Sequence, residues 1–180
     1  VLETLLSKIK IALREKLVGF YLYGSLAAGD FDYLSSDIDF VAVTANELDD
    51  EVIAKLRQIH EEIYNQPGRW NKELEGAYIS VEALRRYDPN SQQPFVNGDE
   101  TLRLTKLGPD WIINRHILRE KGLALYGPPA SNFIDPIAKE EIIHAVKDEL
   151  RLSWKPPLSN QEKMKTRLYQ AFSILTMCRA

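Results

Sequence analysis

Cysteine is almost missing from this sequence. Cys178 is the single one, so no internal disulfide framework can form, and the chain fits a reducing cytoplasm. Long hydrophobic runs are missing as well: no apolar stretch approaches the ~20 residues of a membrane span, and no secretory start opens the chain. Excess positive charge is also lacking. A formal net charge of −3 argues against a nonspecific nucleic-acid surface, whose affinity comes mostly from basic side chains meeting phosphates, and suits a cationic small molecule better. Histidine is scarce: His60, His116 and His144 lie far apart without metal-ligand spacing, so no zinc site is expected. Neither an internal repeat nor a low-complexity tract is present. What is left, 180 residues of which 44% are hydrophobic, is ordinary globular material for one domain or two small ones.

Periodicity then orders the chain. Leu2, Leu5, Leu6, Ile9 and Leu13 recur at helical spacing and predict an amphipathic first helix. The apolar run Gly19 to Tyr23 predicts a strand, and residues 37 to 44 predict a second. Residues 47 to 65 read as a helix with Val52, Leu56, Ile59 and Ile63 on one face, and residues 74 to 81 as a third strand. The polar stretch Asp88 to Gln93, with Pro89, Pro94 and Gly98 near it, predicts a loop. Asp110 to Lys121 reads as a helix, and Leu123 to Tyr126 as a short strand closed by Gly127-Pro128-Pro129. From about Asp135 the pattern becomes all-helical. Ile142, Ile143, Val146 and Leu150 form one stripe, Lys155-Pro156-Pro157 breaks it, and residues 160 to 180 form another helix. The expected class is α+β: a mixed sheet flanked by helices over residues 1–130, then a helical domain beginning at 131–180. The chain starts at Val1 without methionine and stops at Ala180 inside an apolar helical pattern with no stop signal, so a longer, truncated helical domain is expected.

Two short motifs carry chemistry. Gly24-Ser25 closes the first predicted strand, and Ser36-Asp37-Ile38-Asp39 opens the second. Strand alternation puts Asp37 and Asp39 on one face and Ile38 and Phe40 on the other. Two carboxylates side by side repel each other and lose solvation, so a pure packing role is expensive. A divalent cation removes the conflict. Hard oxygen ligands on same-face positions suit Mg2+, and two such ions about 3.5 to 4 Å apart can activate an attacking oxygen and stabilise a leaving one. Gly24 lets the backbone approach a ligand closely, and Ser25, just before a helix, offers a hydroxyl and backbone N–H groups to a phosphate. A bare Gly-Ser is most often a turn and a bare Asp-x-Asp a solvated rim. Joined at this spacing, each on its own apolar strand, they point to a metal-dependent, phosphate-handling site.

Gly24-Ser25, Ala27, Gly29 and Ser36-Asp37-Ile38-Asp39-Phe40 together resemble the signature of the polymerase-beta-type nucleotidyltransferase superfamily. Further along, Leu74-Glu75-Gly76-Ala77-Tyr78-Ile79-Ser80, Leu123-Ala124-Leu125-Tyr126-Gly127-Pro128-Pro129 and Ser173-Ile174-Leu175-Thr176-Met177-Cys178-Arg179 are similar to the aminoglycoside adenylyltransferases that modify streptomycin and spectinomycin. The resemblance implies a cytoplasmic, antibiotic-resistance enzyme that transfers AMP from ATP to a hydroxyl of a small cationic acceptor. It implies that Asp37 and Asp39 hold two Mg2+ ions and that Glu75 completes the metal site or takes the attacking proton. It also implies that Gly24 and Ser25 bind phosphate, that the Ser36 hydroxyl orients a carboxylate or touches a phosphate, and that Arg179 meets the nucleotide phosphates from a C-terminal helix. Tyr169 departs from the pattern, because streptomycin-modifying members carry an aspartate there, which puts streptomycin in doubt.

Blander roles stand beside these. Glu75 can be a surface acid partnering Lys72, Ser35-Ser36 a simple turn, and Arg179 a solvated helix-end charge. Trp70, Trp111 and Trp154 could line a pocket but read as core or half-buried cover, with Trp111 the exception, since Gly108-Pro109-Asp110 places it at a helix start. Asp30, Asp32, Asp99 and Glu100 read as solvated loop charges that could also draw a cation toward the cleft. Two other functions stay open. One is a protein-modifying nucleotidyltransferase of toxin–antitoxin type, against which the helical half counts; the other is an idle nucleotide-binding module, against which the intact set Asp37, Asp39 and Glu75 counts.

Overall fold

Leu5, Ile9 and Leu13 recur every four residues and are almost wholly buried, so the first helix, α1 (Leu2–Leu13), forms because one stripe must leave water. The computed structural model describes residues 1–98, 101–155, 165–167, 169–170 and 173–174. After α1 come β1 (Leu17–Leu22), the one-turn α2 (Gly24–Ala28) and β2 (Ile38–Thr44). Helix α3 (Asp50–Tyr64) is started by the Asp49 carboxylate, which accepts the Val52 N–H at 2.9 Å and satisfies a donor the helix cannot. Then follow β3 (Leu74–Ser80), α4 (Val81–Arg85), β4 (Gln92–Asn97), β5 (Arg103–Lys106), α5 (Asp110–Lys121), β6 (Leu123–Tyr126) and α6 (Lys139–Glu149).

The strands make one six-stranded mixed sheet in the order β5-β4-β3-β2-β1-β6. Only β2 and β3 run parallel, in the register Asp39 with Glu75 and Phe40 with Gly76; the other neighbours are antiparallel. One face of the central strands carries Phe20, Leu22, Ile38, Phe40, Leu74 and Tyr78 into a core shared with α1 and α3. The other face, with Val41, Val43, Ala77 and Ile79, is buried too, and α4 packs on β2 and β3. Arg115 on α5 helps hold α4: its Nε donates to the Leu84 carbonyl at 2.8 Å and its Nη2 to the Arg85 carbonyl. Burial on both faces explains why β2 is almost continuously apolar after Asp39.

One departure from the sequence expectations has a physical reason. The polar stretch before Gly98 is a loop only up to Ser91, and Gln92–Asn97 forms β4 despite Pro94. Pairing with β3 spans Phe95 to Asn97 alone, so at Pro94 no ladder on that side asks for the missing N–H. The third helix of the expectations matches α5 end to end, whereas the helical stretch from Asp135 begins as α6 only at Lys139.

The chain divides into two compact units, Val1–Leu107 with Asn114–Pro136, and Gly108–Ile113 with Ile137–Ala180. Within the second, Ala145 is the buried position of α6 while Ile143 is 41% exposed, and α6 widens into a π-helical turn at Leu150–Trp154. No helix among the described residues is long and apolar enough to cross a membrane.

Candidate active site

Topology brings the two motifs together. Because β1 runs antiparallel to β2, the end of β1 lies beside the start of β2, with Leu22 opposite Phe40 and the Tyr23 N–H donating to the Asp39 carbonyl at 3.2 Å. Gly24-Ser25 therefore emerges next to Asp39. Because β3 runs parallel to β2, its start also lies at this edge and places Glu75 level with Asp39. One strand end and two strand starts thus deliver Gly24, Ser25, Asp39 and Glu75 to one rim of the sheet.

Gly24 is fitted to this place. Its φ of +63° is a left-handed conformation that L side chains rarely adopt, and a Cβ there would drive into the Asp39 carboxylate, whose Cγ would be 2.6 Å away. Only glycine lets the chain turn into α2 against that carboxylate. Gly29, also left-handed at φ +81°, closes α2, and the Asp30 N–H donates to the Ser25 carbonyl at 3.0 Å. The Ser25 hydroxyl oxygen is buried and makes no hydrogen bond. A buried hydroxyl without a partner costs about 1–3 kcal/mol, a cost that a hydrogen-bonding ligand at this place would remove.

Asp37 lies one residue before β2 rather than in it, half-buried. Its charge still reaches Asp39. The Asp39 carboxyl is pushed up to about 8, first by burial and then by the neighbouring charges of Asp37 and Glu75. An acid held uncharged near neutrality by its surroundings is the mark of a site that expects a cation or a proton transfer. As they stand, the carboxylates neighbour one another through charge without converging: among the described residues no three His, Cys, Asp or Glu side chains form a group that could hold a metal ion. The chemistry of the donor set, three acids around one suppressed charge beside an orphaned hydroxyl, nevertheless fits a hard divalent cation.

Ser36 closes the turn before β2. Its hydroxyl oxygen accepts the Asp32 N–H at 2.9 Å, and its own N–H donates to the Asp32 carbonyl at 2.8 Å, leaving the hydroxyl proton to donate elsewhere. Arg179 lies outside the described residues, as do Asp99 and Glu100. His60 is a packed core residue: it is buried, its Nε2 lies 2.8 Å from the Tyr78 hydroxyl, and burial lowers its pKa to about 4. A groove of about 700 Å³ runs along α1 and α3 past Lys8, Ile11, Lys16 and Lys55, and none of the three acids lines it.

Sequence reasoning missed Arg69. Its guanidinium donates to the carbonyls of Tyr33 and Ser36, the latter at 3.3 Å, and it lies 4.7 Å over the Trp70 ring. No pattern in the sequence announces it, because its acceptors are backbone atoms that every residue carries.

Comparison with known proteins agrees with this edge. Residues 6–81, from α1 to the end of β3 and so including every described acid of the site, match the nucleotidyltransferase domain family. No curated protein matches the chain in sequence. Among solved structures it is similar to the spectinomycin adenyltransferase AAD(9) from Enterococcus faecialis, determined with ATP and spectinomycin, at 18% identity and a TM-score of 0.68, covering 99% of this chain and 72% of that one. A toxin–antitoxin structure determined with AMP-PNP is matched at 17% identity and a TM-score of only 0.37, over 81% of this chain and 90% of that one, and carries no weight. Residues 6–81 thus match a nucleotidyltransferase domain, in a chain that shares the fold of an adenyltransferase.

Proposed function

We propose that this enzyme transfers AMP from ATP to a hydroxyl of a small cationic acceptor, an aminoglycoside or aminocyclitol, and releases pyrophosphate. The observation that carries the reading is the level pairing of Asp39 with Glu75 beside Gly24 and the unpartnered Ser25 hydroxyl. The ligands named for the similar adenyltransferase motivate the choice of ATP and of an aminocyclitol. A single cysteine and the use of ATP suit the cytoplasm.

In this reading Ser25 and the backbone around Gly24 bind the triphosphate tail, with the Ser36 hydroxyl and Arg179 adding contacts. Asp37, Asp39 and Glu75 would hold two Mg2+ ions, which when bound supply charge neutralisation of the phosphates and a lowered barrier to alcohol ionisation. Glu75 accepts the proton of the attacking hydroxyl, whose oxygen forms the new bond to the α-phosphorus as the bond to the β-phosphate oxygen breaks. Positioning the two reactants in line carries much of the rate gain. Residues 1–130 are assigned to the nucleotidyltransferase domain and 131–180 to the start of a helical domain.

The test is calorimetric titration of ATP with Mg2+ into the wild type and the Asp37→Asn, Asp39→Asn double variant, followed by pyrophosphate release with spectinomycin and related aminocyclitols. Magnesium-dependent binding that disappears in the double variant, and release on adding an acceptor, are expected. No ATP binding by the folded wild type would overturn the proposal.

A further inference from the structure

We propose that Arg69 is a positioning residue for the acid that opens the site: its guanidinium, seated on Trp70, holds the loop before Asp37 by two backbone carbonyls and thereby sets where Asp37 stands relative to Glu75. This rests on the metal-dependent reading above.

The loop needs holding. Between Gly29 and β2 the chain forms neither helix nor strand, and Tyr33 and Leu34 are 67% and 82% exposed. Its internal hydrogen bonds are local: Leu34 N–H to Asp32 Oδ1 at 2.7 Å, Asp32 N–H to Ser36 Oγ at 2.9 Å, and Ser36 N–H to the Asp32 carbonyl at 2.8 Å. These bonds shape the turn but do not attach it to the sheet.

Arg69 attaches it. Nη1 donates to the Tyr33 carbonyl, Nη2 to the Ser36 carbonyl at 3.3 Å, and Nε to Glu73 Oε1 at 3.4 Å. A planar guanidinium aims its donors in fixed directions, so three acceptors on one fork fix the spacing of the loop points they hold. Trp70 supports the fork: the Arg69 Cζ lies 4.7 Å from its ring centre, while Tyr33 and Phe31 pack on the same indole at 5.1 and 5.4 Å.

Asp37 is bracketed by this arrangement. The carbonyl just before it, on Ser36, is held by Arg69, and the N–H just after it, on Ile38, donates to the Glu73 carbonyl at 2.7 Å. Both anchors belong to the short segment that runs directly into Glu75. The separation of the two acids is therefore set by residues 69–75, and no bond of the bracket uses the Asp37 side chain. A change at Arg69 moves Asp37 without altering its chemistry.

The experiment compares Arg69→Gln and Arg69→Lys with the wild type in the full chain. Amide hydrogen exchange, without nucleotide or metal, reads the loop; calorimetry of ATP over a Mg2+ series reads the site. Faster exchange at Ser35, Ser36 and Ile38 is expected in Arg69→Gln. The Mg2+ concentration for half-maximal ATP binding should rise about 10-fold, as when a group orienting a metal ligand is lost. Arg69→Lys should not restore it, since an ammonium keeps the charge but not the fork. A role in stability alone would lower the binding-competent fraction and leave the half-saturating Mg2+ unchanged, and that result, or full rescue by lysine, or unaltered exchange, overturns the inference. Trp70→Leu, which removes the seat and leaves the guanidinium, serves if Arg69→Gln does not fold, with a smaller shift in the same direction expected and no shift refuting it. Should the wild type bind ATP without regard to Mg2+, the proposed function fails, and the exchange result alone then decides whether Arg69 holds the loop.

Discussion

Two faces of the same strands handle buried polar groups in opposite ways. On the face toward α1 and α3, His60 and Tyr78 are buried beside Phe40, which stacks on His60 at 5.9 Å, and each satisfies the other across 2.8 Å. On the opposite face, one residue along β2 from Phe40, Asp39 is crowded by Asp37 and Glu75 and lies against Gly24, and the hydroxyl of the following residue, Ser25, is unpartnered. The first arrangement is complete and stabilises the fold. The second is incomplete and costs stability, which is tolerable only where a ligand finishes it.

The largest effects are expected at the incomplete site. Glu75→Gln should lower turnover by about 10²- to 10⁴-fold, the usual contribution of a positioned base, while ATP binding is largely kept. Steady-state kinetics beside calorimetry reads both, and unchanged turnover would remove Glu75 from the chemistry. Gly24→Ala should weaken ATP binding about tenfold or more, because a left-handed backbone costs an alanine roughly 1–2 kcal/mol and its methyl displaces the Asp39 carboxylate. Titration at fixed Mg2+ measures the loss.

On the complete side, Tyr78→Phe strands the buried His60 nitrogen and should cost about 1–3 kcal/mol in urea unfolding, with turnover per folded molecule unchanged. Asp39→Asn should do the reverse, abolishing transfer while raising the melting temperature of the ligand-free protein near neutral pH, because the unfolded chain ionises this carboxyl freely whereas burial and two neighbouring acids hold it uncharged in the fold, a difference an amide does not have. A lower melting temperature would mean that the ligand-free site is not strained.

The smallest effect is on pH. His60 falls from an ordinary 6.5 to about 4 on folding, so between those values the unfolded chain binds the proton that the folded chain refuses. Stability should therefore fall as pH drops from about 6.5 toward 4. A His60→Gln variant, followed by thermal melts across that window, should show a flatter profile than the wild type if the contrast holds.

Much of this is legible in the amino-acid sequence. The stripe Leu5, Ile9, Leu13, the helix Asp110–Lys121 and the strand Leu123–Tyr126 stand where periodicity put them, because each is decided by residues within a turn or two of one another. The strand β4 was hidden by Pro94, whose tolerance depends on where the β3 ladder stops. Alternation counts Asp37 into the strand, since it cannot say that the ladder starts one residue later.

Donor chemistry and hydrophobic period are local properties, so the chemical types at the site and the elements that carry them can be read along the chain. Folding in three dimensions sets the level pairing of Asp39 with Glu75, the approach of the Asp39 carboxylate to Gly24 and the bracketing of Asp37 by Arg69. Those are matters of strand register, close approach and backbone carbonyls, and none of them has a residue type that marks it along the chain.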